Sequence, residues 1–186
     1  MKIGYALCGS FCTHARSVKM LETLAHEHEI VPIASETVVS SDTRFGKASE
    51  LISKIESICK RKIISTVVEA EPLGPKEPLD ALIISPCTGN TLAKIANGIT
   101  DTAVCMAAKA HLRGDRPLII ALSTNDALSA NLKNLATLLE RKNVYFVPLT
   151  QDDPLSKPHS LVCELSLLPE TLDAAMKGKQ YQRVIK

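Results

Sequence analysis

The sequence predicts an α/β fold, a doubly wound parallel sheet of about six strands with helices on both faces. Three observations lead there. Short apolar runs alternate with segments whose apolar residues recur at spacings of three and four. The strand-like runs are nearly all apolar, as strands covered on both faces must be. The chain has 186 residues, 45% hydrophobic and 23% charged, which suits one domain over residues 1–186 with a sizeable core.

The elements follow in order. Ile3 to Leu7 is a first strand, and Ala15, Val18, Leu21 and Ala25 mark the helix after it. Ile30 to Ala34 is the second strand. Phe45, Ala48, Leu51, Ile52, Ile55, Ile58 and Cys59 then share a helical face. Ile63 to Val68 is rich in β-branched residues and predicts a third strand. Residues 71–78 carry three prolines, which remove backbone donors, and predict a turn. Asp80 to Ser85 is a buried strand, followed by two helices broken near Gly98, the second capped by Thr100 or Asp101. Pro117 to Leu122 is a strand, residues 131–141 a helix with Leu132, Leu135, Leu138 and Leu139 on one face, and Val144 to Pro148 a sixth strand. Gln151 to Pro158 is polar loop, and a last helical pattern runs from Ser160 or Pro169 to about Met176.

Composition narrows the function. A net charge of +2 gives no bulk attraction to nucleic acid or an anionic membrane. Aromatics at 3%, with no Trp, disfavour base-stacking platforms and large sugar sites. No apolar run approaches the roughly 20 residues a membrane-spanning helix needs. The first ten residues, MKIGYALCGS, are too short for a secretory core, so a cytoplasmic chain is expected. Its six Cys, at 8, 12, 59, 87, 105 and 163, are then reduced thiols, and without a C-x-x-C pair no metal site is expected.

In doubly wound sheets, ligands bind beyond the carboxyl ends of the strands, where strand order reverses. Four polar segments fall there. Cys8-Gly9-Ser10-Phe11-Cys12-Thr13-His14 is a turn opening onto a helix, where N–H groups, Ser10 and Thr13 can receive a single phosphate or simply cap the helix. Ser35 follows the second strand and can bond a monophosphate or form an ordinary turn. Ser85-Pro86-Cys87-Thr88-Gly89-Asn90-Thr91 is the most informative segment: Gly89 lets the backbone approach a flat ligand, and Asn90 and Thr91 can donate and accept around a polar ring. Ser123 and Thr124 begin a fourth polar loop on the same rim. Four such loops together predict a binding site.

The run from Ser85 to Asp101 resembles the motif of the flavoprotein family of homo-oligomeric FMN-containing Cys decarboxylases. The resemblance implies a Rossmann-like or flavodoxin-like domain, FMN as cofactor, and self-association into trimers or multiples of trimers. It places the flavin against Gly9, Ser10, Thr13, Ser35, Pro86, Thr88, Gly89, Asn90, Thr91, Ser123 and Thr124. Residues 42–46, 71–76, 123–126, and 145–148 through 151–154 are similar to a branch of the family that serves sporulation. That branch implies formation of dipicolinic acid from a dihydrodipicolinate-type heterocyclic dicarboxylate, beside a separate NAD(P)-binding A subunit of a dipicolinate synthase, in the mother-cell cytoplasm. Thiol decarboxylation is not implied: residues 44–70 contain no His, and the loop from Ser123 to Leu128 lacks the decarboxylases' Met and Trp.

The catalytic group is left open among three candidates. Arg44 can grip a carboxylate with paired bonds, ahead of Lys76 and Lys109 as alternatives. His14 can carry a proton or pack at the helix start. Asp126 can act as acid or base, or cap the helix near Ser129. Cys87 reads either as a thiol at a helix start or as a small buried hydrophobe.

Overall fold

The structure, a computed structural model, describes residues 1–74 and 76–186. Pro75, part of the turn expected over 71–78, lies outside the described residues. The strands are β1 (Lys2–Leu7), β2 (Glu29–Ala34), β3 (Ala81–Cys87), β4 (Leu118–Thr124), β5 (Val144–Phe146), β6 (Leu149–Thr150) and β7 (Leu161–Cys163). The helices are α1 (His14–Ala25), α2 (Glu36–Ser40), α3 (Ala48–Cys59), α4 (Val67–Ala70), α5 (Gly89–Ala96), α6 (Ala103–Leu112), α7 (Leu132–Leu139) and α8 (Leu168–Ala175).

The sheet runs β2-β1-β3-β4-β7-β6, with β5 also paired to β4. Pairing is parallel from β2 through β5, as expected, and antiparallel where β7 joins β4 and β6. Strand order reverses between β1 and β3, so the switch point lies beyond Leu7 and Cys87.

Alternation along each strand builds a core on either face. Leu82 and Ile84 of β3, with Leu118, Ile120 and Leu122 of β4, pack with Leu92, Val104, Leu135 and Leu138 of α5, α6 and α7. Ile3, Tyr5, Leu7, Ile83 and Ile119 point the other way, against Val18, Leu21, Ile55, Leu168 and Leu172 of α1, α3 and α8. Tyr5 is fully buried and donates its hydroxyl to the Ser17 carbonyl at 2.9 Å; burial pushes its pKa up to about 12. No helix among the described residues is long and apolar enough to cross a membrane.

Three expectations change. Ile63 to Val68 forms no strand. Ile64 makes a single bridge to Ile33, and the chain then turns into α4. The cause is a capping box: Thr66 Oγ1 accepts from the Glu69 N–H at 3.2 Å, while the Glu69 carboxylate accepts from the Thr66 and Ser65 N–H groups at 3.1 Å each. Those donors are lost to a sheet ladder, and Val68 is left 82% exposed. Of the two starts expected for the last helix, Ser160 gives way to strand, where Leu161 and Val162 pair with Thr124 and Ser123, and Pro169 holds, with α8 beginning at Leu168. The helix α6 is capped by neither Thr100 nor Asp101 but by Thr102, whose hydroxyl accepts from the Cys105 N–H at 3.2 Å.

Candidate functional site

The carboxyl ends of β1, β3 and β4 open into one cavity of about 840 Å³, within the range of small-molecule sites. It brings together Ser10, Thr13, Thr88, Gly89, Asn90, Ser123 and Thr124 of the expected set, with Asp126. It adds Cys12, Arg16 and Asn125, and Asp152, Lys157, Ser160 and Val162 from the segment that carries β7.

The first wall is the turn after β1. Ser10 sits at φ 61°, in the left-handed region that a non-glycine residue occupies only when its surroundings hold it there. The restraint is visible: Ser10 Oγ donates to the Ser123 carbonyl at 2.8 Å, tying this turn to the end of β4. Thr13 Oγ1 donates to the Ser10 carbonyl at 2.7 Å. Both hydroxyls therefore brace the turn, and the anion-attracting feature left is the set of N–H groups at the start of the helix.

The second wall is the start of α5. Thr88 caps it, accepting from the Thr91 N–H at 3.3 Å, and Thr91 in turn donates its hydroxyl to the Cys8 sulfur at 3.2 Å. Thr91 and Pro86 are buried, one in this chain of bonds and the other in β3, and line none of the cavity. Asn90 is exposed and lines the cavity. Gly9 and Ser35 line none of the cavity either: Gly9 approaches Thr88 from behind it, and Ser35 starts α2 at the end of β2.

The third wall is the loop after β4, where a polar cluster explains Gly89. Thr124 Oγ1 donates to Asp126 Oδ1, and Asn131 Nδ2 donates to Asp126 Oδ2 at 2.8 Å. Asn134 and then Asn97 extend the chain at 2.8 and 3.1 Å, linking the loop to α7 and α5. A Cβ on residue 89 would stand 2.6 Å from Asn131 Nδ2 and from Thr124 Oγ1, and 2.8 Å from Asp126 Oδ1. Gly89 is thus required by this cluster rather than by a ligand.

The catalytic candidates land apart. Asp126 faces the cavity with both carboxylate oxygens engaged. His14 is buried, its Nε2–H donating to the Cys8 carbonyl at 2.8 Å, so it packs beneath the turn. It lines a separate cleft of about 290 Å³ between α1 and α3, which Cys12 also borders. Arg44 is exposed in a loop closed by reciprocal bonds between Thr43 and Gly46, its guanidinium 4.9 Å from the Phe45 ring, and lies outside the strand-end cavity. Lys109 borders a small cleft beside Arg141, and Lys76 is an exposed residue of the 71–78 turn. Cys87 is fully buried, and desolvation holds its thiol well above the usual range; Cys8 is pushed up to about 12 for the same reason. Neither is a reactive thiol.

Sequence reading missed Arg16, Asp152 and Lys157. Arg16 lies within the periodic pattern of α1, and nothing in that pattern marks one cation as facing a cavity. Asp152 and Lys157 pair at 2.8 Å. They reach the site because β7 adds to the edge of β4, a pairing without a local signature.

The residues fit a flat, phosphate-bearing cofactor on three counts. The volume is sufficient, the turn after β1 opens onto a helix start whose N–H groups can receive an anion, and both carboxylates are engaged, Asp126 by two donors and Asp152 by Lys157.

Comparison with known proteins agrees. The chain is 44% identical over 185 residues to the B subunit of dipicolinate synthase from Bacillus subtilis (strain 168), across 99% of this chain and 92% of that protein. The crystal structure of the dipicolinate synthase B subunit from Bacillus halodurans superposes with a TM-score of 0.91 and 45% identity, over 100% of this chain and 95% of that one. The FMN-dependent cysteine decarboxylase SpaF shares the fold, with a TM-score of 0.70 at 20% identity over 96% of this chain and 97% of its own. The profile of the Flavoprotein family matches residues 1–181, and the chain belongs to that family, among its dipicolinate synthase B subunits.

Proposed function

We propose that this chain binds FMN in the strand-end cavity and works as the B subunit of a dipicolinate synthase. It acts with a separate NAD(P)-binding A subunit, forming dipicolinic acid from a dihydrodipicolinate-type precursor in the mother-cell cytoplasm during sporulation. It folds as one domain over residues 1–186 and is active as an oxidoreductase subunit only in that complex. The observation that carries the proposal is the cavity itself, built at the switch point of a chain 44% identical to such a B subunit. When bound, FMN supplies a two-electron acceptor, which is what turning a dihydropyridine ring into a pyridine ring requires.

The chain's own residues divide the work. N–H groups of the turn after β1 face the phosphate, with Gly9 and Ser35 beside it. Asn90 meets the polar edge of the ring, and Ser123 and Thr124 shape the floor. Self-association into trimers or their multiples suits exposed apolar side chains such as Val68 and Leu155.

A second reading, that the chain only shapes and activates the A subunit, draws on one observation: Asp126 and His14 are both committed to internal hydrogen bonds. An absorbance spectrum of the purified protein, followed by a dipicolinate assay on mixing with the A subunit, separates the two. Activity on mixing without bound flavin supports the second.

Asn90→Asp tests the site. It replaces the amide donor by a negative charge in the cavity lining, while an acidic residue in the first turn of α5 favours the helix. FMN affinity is expected to fall about two- to tenfold from the lost neutral bond, worth about 0.5–1.5 kcal/mol, and further from the added charge, with unfolding unchanged. Equal affinities for wild type and variant refute the placement.

A further inference from the structure

The cavity has two ends, and they differ in the side chains they carry. At the β2 side lie the Gly9–Ser10 turn and Ser35, which the proposed function assigns to the flavin phosphate. At the β7 side lie Arg16, Asn125, Asp152, Lys157, Ser160 and Val162. Arg16 also borders the crevice between Ser123, Val162 and Cys163, which fixes it on that side.

The charges nearby are Arg16 and Lys157 against Asp126 and Asp152. Lys157 is held by Asp152 at 2.8 Å, and that pair is neutral. Asp126 accepts one bond on each oxygen from the uncharged Thr124 and Asn131 and keeps its charge in place at the loop after β4. Among the described residues Arg16 is in none of the ion pairs. Among the described residues Arg16 is thus the one charged group lining the cavity that has no bonded partner. Its planar fork matches a carboxylate with two parallel bonds.

We infer that the β7 end of the cavity is a carboxylate subsite, in which Arg16 grips one carboxylate of the heterocyclic substrate while Val162 and Gly89 border the ring. The inference rests on the proposed function for the identity of the substrate. It assigns specificity to a residue of α1 and to the β6–β7 extension of the sheet, and it removes Arg44, outside the cavity, from that role.

Calorimetric titrations of the full chain test it, with dipicolinate, its uncharged analogue pyridine-2,6-dicarboxamide, and FMN as separate probes. Arg16→Gln is expected to weaken dipicolinate binding about ten- to a hundredfold, the worth of a charge-assisted pair. Arg16→Lys restores part of it, because charge returns without the fork. The diamide should bind both forms alike, FMN affinity should stay within threefold, and Lys109→Gln, far from the cavity, should leave all three unchanged. Unaltered dipicolinate binding in Arg16→Gln, or no dipicolinate binding by wild type, overturns the subsite. A loss of FMN affinity without a loss for dipicolinate overturns it too, by assigning Arg16 to the flavin phosphate. If wild type binds dipicolinate in an Arg16-dependent way but no FMN, the flavin reading fails and the subsite stands.

Discussion

Replacing Gly89 by Ala tests whether the loop after β4 and the start of α5 form one unit. The added Cβ meets three polar atoms below 3.0 Å: Asn131 Nδ2 and Thr124 Oγ1 at 2.6 Å and Asp126 Oδ1 at 2.8 Å. None belongs to a long flexible side chain, and Thr124 and Asn131 each hold one oxygen of the Asp126 carboxylate, so relieving one contact strains the others. Two effects oppose. Ala is the better helix former, by up to about 1 kcal/mol in a helix interior and less in a first turn. Overpacking of this kind costs about 1–3 kcal/mol, and a charge-assisted bond lost from Asp126 is worth about 1.5–3 kcal/mol. The clash wins, and a net loss of about 1–3 kcal/mol is expected. For a chain of this length that lowers Tm by about 2–12 °C. Urea and thermal unfolding measure it, with Gly9→Ala as a control. There the new Cβ meets only Thr88 Cγ2, at 3.3 Å, and the cost should stay below about 1 kcal/mol. Because Thr124 and Asp126 face the cavity, FMN titration of Gly89→Ala should show weaker binding as well. If Gly89→Ala unfolds at the wild-type midpoint and binds FMN unchanged, the cluster is not rigid and the argument fails. Adding Thr124→Ala should recover part of the stability, by removing one of the two closest atoms.

Two further outcomes follow from burial. His111 is fully buried, its Nε2–H donating to the Pro117 carbonyl at 2.9 Å, and desolvation lowers its pKa from 6.5 to about 4. The unfolded chain therefore binds a proton between those values that the folded chain refuses. Stability from this group is complete above pH 6.5 and falls by about 3 kcal/mol as pH drops to 4; an imidazole NMR signal from His111 that titrates near 6.5 in the folded protein would contradict this. Among the six Cys, Cys12 is exposed while Cys8 and Cys87 are buried. A maleimide at pH 8 should label Cys12 within the time that leaves Cys8 and Cys87 unmodified, and bound FMN should slow it, since Cys12 borders the cavity; mass spectrometry of the labelled peptides reads both.

The sequence by itself determined what depends on local pattern. Strands β1 to β5 and helices α1, α3, α5, α6 and α7 were legible because their buried faces impose a period that tertiary contacts only ratify. The strand-end rule located the site, since Ser10, Thr88, Gly89 and Asn90 follow parallel strands and Ser123 and Thr124 end one, so that all share one rim. Tertiary structure decided the rest. Thr66 and Glu69 draw backbone donors into a capping box, so a β-branched run at 63–68 gives one bridge and a helical turn instead of a strand. Residues 161–163 become β7 because the end of β4 offers an unpaired edge, a partner 37 to 39 residues away in sequence. That pairing carries Lys157 and Ser160 to the cavity, and with them the end where Arg16 stands free. Whether a hydroxyl is available or already spent, as for Ser10 on Ser123, and whether Gly89 makes room for a ligand or for Asn131, is set by atoms distant in the chain. Sequence spacing records periodicity along one element, and these contacts lie between elements, where no periodicity reports them.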